Sequence, residues 1–280
     1  MSRTAAVRMV SVLLLSLGVG DAVFAQWRRG PSRDAGTVVE AEGSRNGVPD
    51  WQVPPAFKSD VFTFARVRYG NRYGRPTWYT DAPDSDLNFA YRLQQMTSLK
   101  VDPAGKIVEL TDDALFDYPF IYMLEVGGLE FTDAEVDALR RYLLNGGFLM
   151  VDDFWGVEAW ENFREQMKRV FPDRETVDLP IDHAIFHSVY DLKYKPQVPG
   201  IDAARRLRGT NITWERSDAQ QVEYRGLFDD KGRMMAIICH NTDLGDGWER
   251  EGEEEWYFHE FSEKLAYPMG INIVFYAMTH

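Results

Sequence analysis

Two short apolar runs, at 120–124 and 148–151, constrain this chain more than any other feature in it. Neither run alternates polar and apolar residues, which is the pattern of a strand covered on both faces. Between them, Thr132-Asp133-Ala134-Glu135 is spaced as a capping box. In that device the Thr132 hydroxyl accepts from the Glu135 amide and the Glu135 carboxylate reaches back. Val136, Leu139 and Leu143 then make one helical stripe, and Asn145-Gly146-Gly147 supplies a left-handed closing residue. A second helix is expected over 157–170. Strand, helix, strand, helix with short joins predicts parallel pairing through right-handed crossovers, hence an α/β fold.

The flanking sequence extends this pattern. Residues 61–69 alternate and are β-rich, so a strand is expected there. Asp84 or Ser85 is placed to cap a helix running to about Thr97, with Phe89, Leu93 and Met96 on one face. A short strand fits 107–110. Two strands, 222–228 and 234–239, flank a turn at Asp229-Asp230-Lys231-Gly232, as in a hairpin. The acidic stretch 246–260 reads as a solvated excursion. A final helix over 263–278 would turn Leu265, Met269, Ile273 and Tyr276 to the core. There are no internal repeats.

The N-terminus predicts export. Arg3 and Arg8 precede or open an apolar run over 9–19, and Val23 and Ala25 suit the two small-residue subsites of a signal peptidase. Cleavage is expected after Ala25, giving a periplasmic or secreted protein. The run is too short for a membrane span, which needs about 20 apolar residues, and nothing later is long and apolar enough. Residues 26–57, rich in Gly, Pro, Arg, Glu and Ser, read as a tether with little structure, so the expected domain is 58–280. The net charge of −13 argues against a nucleic-acid partner. Cys239 is the only cysteine, which excludes an internal disulfide.

Several motifs together are similar to one bacterial family. They are Tyr118-Pro119-Phe120 with its apolar run, Leu139-Arg140-Arg141-Tyr142-Leu143, Gly146-Gly147-Phe148 through Asp152-Asp153-Phe154, His183 with Phe186, and Gly270-Ile271-Asn272. The family is domain of unknown function 4159, and the resemblance runs from about Phe62 to the end. It implies a flavodoxin-like α/β fold, similar to class I glutamine amidotransferases. Those enzymes carry a nucleophilic cysteine on a sharp strand-to-helix turn. The matching turn here, after Val151, offers Asp152, Asp153 and Phe154, so amidotransferase chemistry is not implied.

Ligands of open α/β sheets bind beyond the carboxyl ends of the strands. Three loops should reach that rim: 69–81, 125–128 and 152–156. Asp152 and Asp153 could bind a cation or act as a base, or serve as caps for the next helix. Arg72, Arg75, Trp78, Tyr79, Asp81 and Glu125 could grip an anionic or sugar ligand, or simply pack and solvate the loops. His183 and His187 are four apart, a metal-site spacing on a helix, though Pro180 disfavours a helix there. With Asp152, Asp153 and Asp243 they would make a hard-metal or zinc-type cluster, and the cofactor would be a divalent metal. Cys239 and His240, adjacent on a strand, should face opposite ways. Gly70 to Arg75 lacks the Lys-Ser/Thr ending of a phosphate loop.

Two functions follow as expectations. One is a non-catalytic binding or assembly module of the cell envelope, engaging a partner protein or a small-molecule or sugar ligand. The other is a metal-assisted hydrolase of an envelope carbohydrate or ester, using Asp152, Asp153 and His183.

Overall fold

The computed structural model describes residues 36–57 and 60–280. Its strands are β1 (Ala65–Arg68), β2 (Lys106–Glu109), β3 (Phe120–Leu124), β4 (Phe148–Asp152), β5 (Val177–Asp178), β6 (Glu223–Phe228) and β7 (Met234–His240). They form one sheet in the order β2-β1-β3-β4-β7-β6-β5. β2, β1, β3, β4 and β7 are parallel neighbours, while β6 and β5 add antiparallel. Counted among themselves, the parallel strands run 2-1-3-4-5, a doubly wound order whose switch point lies between β1 and β3. The parallel α/β sheet and the β6–β7 hairpin match the sequence expectation.

The uninterrupted apolar strands are explained by two separate cores. Ile121, Met123, Leu149, Val151, Ala236 and Ile238 face one core. Their neighbours Phe120, Tyr122, Leu124, Phe148, Met150 and Ile237 face the other. The helices are α1 (Val38–Glu42), α2 (Asp84–Met96), α3 (Asp133–Leu144), α4 (Gly156–Val170), α5 (Ile201–Leu207), α6 (Leu244–Glu249) and α7 (Tyr267–Thr279). Leu139 and Leu143 of α3 and Phe163 and Met167 of α4 close the first core. Phe89 and Leu93 of α2, Trp248 of α6 and Ile271 of α7 close the second. Each large apolar side chain so buried contributes about 1.5–3 kcal/mol. The capping box of α3 forms as read, with Thr132 N donating to Glu135 Oε2 at 2.7 Å. Gly147 is required after that helix, because a Cβ there would lie 2.3 Å from the Tyr142 ring.

Five expectations need correction. Residues 36–57 are part of the domain rather than a tether. Thr37 and Glu40 form a second capping box, Val38 is buried, and Trp51 Nε1 donates to Val101 O at 2.8 Å. The composition concealed this because two buried valines, Val38 and Val48, and a few hydrogen bonds suffice to dock the segment. The strand expected over 61–69 is only β1, with Phe62 bridging to Val101 in isolation. Helix α2 is entered from Pro83 with no side-chain cap, since Ser85 is used by Arg66, and Met96 is exposed. The acidic stretch 246–260 is not a solvated excursion: Trp248 is fully buried, its ring 4.3 Å from that of Phe89. The last helix is entered through a π-helix, Phe258–Ala266. Residues 1–35, where the export signal is expected, lie outside the described residues. Among the described residues no helix is long and apolar enough to cross a membrane.

Candidate functional site: a carboxylate-lined rim

At the carboxyl ends of the parallel strands the backbone departs from regular geometry in a consistent way. Glu125 follows β3, Asp153 follows β4 and Asn241 follows β7, with φ of 53°, 50° and 61°. Asp81, at the end of the loop after β1, has φ 63°. Each left-handed non-glycine residue costs on the order of 1–3 kcal/mol and persists only where its surroundings hold it. Here they do. Glu125 N donates to Asp153 O at 3.0 Å and Asn241 N to Phe154 O at 3.0 Å. The Tyr69 hydroxyl donates to Leu124 O at 2.6 Å. The sharp turns push carboxylates over the strand ends.

Three of those carboxylates converge. Oxygens of Asp81, Asp153 and Asp243 all lie within 4.8 Å of one another. Asp153 and Asp243 are each 6% exposed. Burial, reinforced by facing carboxylates, drives all three well above the ordinary aspartate range. Glu125 and Glu215, close by, are raised for the same reason. Asp152 lies beneath them, fully buried. Its Oδ2 accepts from Gly245 N at 2.9 Å and from the Tyr122 hydroxyl at 3.3 Å, while its Oδ1 has no hydrogen-bond partner among the described residues. Burial raises it to about 7, opposed by the Gly245 amide.

Glycines make room for the cluster. A Cβ at Gly245 would stand 2.6 Å from Asp81 Oδ2, itself without a hydrogen-bond partner among the described residues, and 3.5 Å from Asp243 Oδ1. A Cβ at Gly200 would stand 2.9 Å from Glu215 Oε1 and 3.2 Å from Asp243 Oδ2. The cations in reach are already committed. Arg66 is taken by Asp86. Arg250 fills a second acidic group, Asp81, Asp246 and Glu249, with Nε 2.9 Å from Asp246 and a terminal nitrogen 2.8 Å from Glu249. Among the described residues, the Asp81–Asp153–Asp243 group has no such guanidinium inserted into it. Such a group is relieved by shared protons or by a hard cation, which takes carboxylate oxygens.

Of the residues read from sequence, Asp81, Glu125, Asp152, Asp153 and Asp243 are brought together. Asp153 is not the cap of α4, which starts after Trp155 without a side-chain cap. Asp243 caps α6 and also serves the cluster, its Oδ1 accepting from Asp246 N at 2.6 Å. The histidines stand elsewhere. His183 Nδ1 accepts from Ile185 N at 3.2 Å, with its ring against Tyr276. His187 pairs with Asp191 at 2.6 Å and Ile181 O at 2.7 Å. A zinc-type set with those histidines is therefore not assembled; the donors are all oxygen. Arg72 lies over the Tyr73 ring and Arg75 is exposed. Trp78 is buried beneath Arg68, and the Tyr79 hydroxyl reaches Glu42 at 3.4 Å. These four do not form a grip. Cys239 is buried in the second core, while His240 stacks on Phe154 across the sheet, so the two do face opposite ways. Glu215, Asp246 and Glu249 were missed. The Asp243-x-x-Asp246 spacing of a helix start was their one sequence signal.

A doubly wound α/β sheet with an acidic rim is thus the class defined by the fold and site. Within that class the chain belongs to the family described as Domain of unknown function (DUF4159), which matches residues 63–278. No curated protein matches the chain.

Proposed function

We propose that this is an exported, divalent-cation-dependent binding domain of the cell envelope, without amidotransferase activity. The observation that carries the reading is the meeting of Asp81, Asp153 and Asp243 oxygens within 4.8 Å in a buried rim. An all-oxygen set favours calcium, magnesium or manganese over zinc. Neutralised in this way, the rim would present a cation with open positions to an anionic or hydroxyl-bearing ligand. The turn after β4 carries no thiol, and the lone thiol is buried elsewhere, which supports leaving amidotransferase chemistry aside.

One observation favours a second reading, a metal-assisted hydrolase of an envelope carbohydrate or ester. Asp152, with a free oxygen and a carboxyl raised to about 7, has the properties of a general base beside a cation. Metal analysis and thermal denaturation of chain 26–280, wild type and Asp153→Asn, test the main reading. A cation at 100 times its Kd should raise the wild-type Tm by roughly 5–10 °C and leave the variant unmoved. No bound metal and no shift with calcium, magnesium or manganese would remove the cation from the account. Ester or glycoside turnover lost in Asp152→Asn would select the hydrolase.

A further inference from the structure

A groove of about 1130 Å³ lies apart from the rim and includes none of its convergent aspartates. Helix α5 separates the two. Its first amide, at Ile201, donates to Asp246 by the rim, while Leu207 at its other end lines the groove. On a chain of net charge −13, this groove has the opposite character. Lys195, Arg208 and Lys264 line it against a single carboxylate, Glu260. Lys195 and Lys264 already pair with Asp178 and Glu260. Arg208 is exposed and makes no ion pair among the described residues; its guanidinium lies 4.5 Å over the Trp256 ring. Glu254, which accepts from the Trp256 indole, lies near enough to feel Arg208 but forms no ion pair with it, so the guanidinium over the indole keeps its hydrogen-bond donors for a ligand carboxylate.

The remaining walls narrow the ligand class. Asn211, Gln220 and Gln221 bring carboxamides and Thr213 a hydroxyl. Carboxamides both donate and accept, which is what sugar hydroxyls require. Trp256 and Phe261 provide apolar ring faces. Phe261 and Lys264 are presented by the π-helix Phe258–Ala266, a rare element concentrated at functional sites. We propose that this groove binds an acidic oligosaccharide: Arg208 takes a ring carboxylate, Trp256 carries a ring face, and the carboxamides read hydroxyls. The site works independently of the cation at the rim.

Calorimetric titration of the domain with tetragalacturonate at low salt tests it, beside neutral cellotetraose and tetraglutamate. The acidic sugar should bind, and Arg208→Ala and Trp256→Ala should each weaken it at least tenfold. Cellotetraose and tetraglutamate should both be at least tenfold weaker, and Asp153→Asn should bind as wild type does. Arg208 is exposed, so its variant folds, which circular dichroism checks. No binding of tetragalacturonate, unchanged affinity in Arg208→Ala, or equal binding of tetraglutamate would overturn the assignment.

Discussion

Two buried charged clusters sit on the same side of this fold and are built on opposite plans. Around Arg66, fully buried, every donor is used. The guanidinium meets both Asp86 oxygens, the carbonyls of Trp78 and Thr80 at 2.9 and 2.8 Å, and the Ser85 hydroxyl at 3.0 Å. Charge is balanced one to one, and the cluster ties β1 to the start of α2 and the loop before it. At the rim, Asp81, Asp153 and Asp243 face one another, and Asp81 Oδ2 and the nearby Asp152 Oδ1 have no hydrogen-bond partner among the described residues. The first cluster is complete within the chain. On the proposed reading, the second gains by taking up a cation the chain does not supply. Burial alone therefore does not single out the rim; buried carboxylates that outnumber the cations facing them do.

The sharpest way to break that contrast is to remove one carboxylate charge from each cluster. Asp86→Asn should destabilise the protein by about 3–5 kcal/mol, because it strands a buried guanidinium. Asp153→Asn should act in the opposite direction without a cation, stabilising by about 1 kcal/mol at pH 8 through relief of like-charge repulsion. Urea unfolding of both variants measures this. Equal losses would mean that the rim is held by internal pairing after all.

The pH dependence separates the clusters next. Asp152 is raised in the folded state to about 7 from an ordinary 3.8. A raised acid binds its proton more tightly when folded, so its contribution is full below about 4 and is lost as pH rises through 7. Cation-free protein should therefore gain a few kcal/mol between pH 7 and pH 4 from this group, and Asp152→Asn should flatten that part of the profile. With a saturating cation the trend should reverse, because protons then compete with it for the Asp81, Asp153 and Asp243 oxygens.

The smallest expected effect concerns backbone strain. Glu125 holds φ 53° with a long side chain, so Glu125→Gly should stabilise by about 1 kcal/mol. Glu125→Gln serves as the charge-only control in the same denaturation series.

Much of this was legible in the sequence, for reasons that can be named. The runs ending at Leu124 and Asp152 had no polar alternation, so a sheet covered on both faces was the economical reading. The parallel order then placed Glu125, Asp152 and Asp153 on one rim. Asp243 entered the candidate set, yet its convergence with Asp81 depends on a contact across 162 residues that no local pattern encodes. The stretch 246–260 misled because acidic residues usually face solvent, whereas Trp248 anchors Asp246 and Glu249 against the sheet end. His183 and His187 misled in the other direction: their metal-like spacing falls on a loop whose own amides and carboxylates satisfy them.

On the proposed reading, the rim takes a hard cation in place of shared protons. Calorimetric titration of calcium and manganese at pH 7, repeated in buffers of different ionisation enthalpy, addresses it most directly. One saturable cation per chain, net proton release on binding, and loss of both in Asp153→Asn are expected. A heat of dilution alone, or binding that survives in Asp153→Asn, would contradict it.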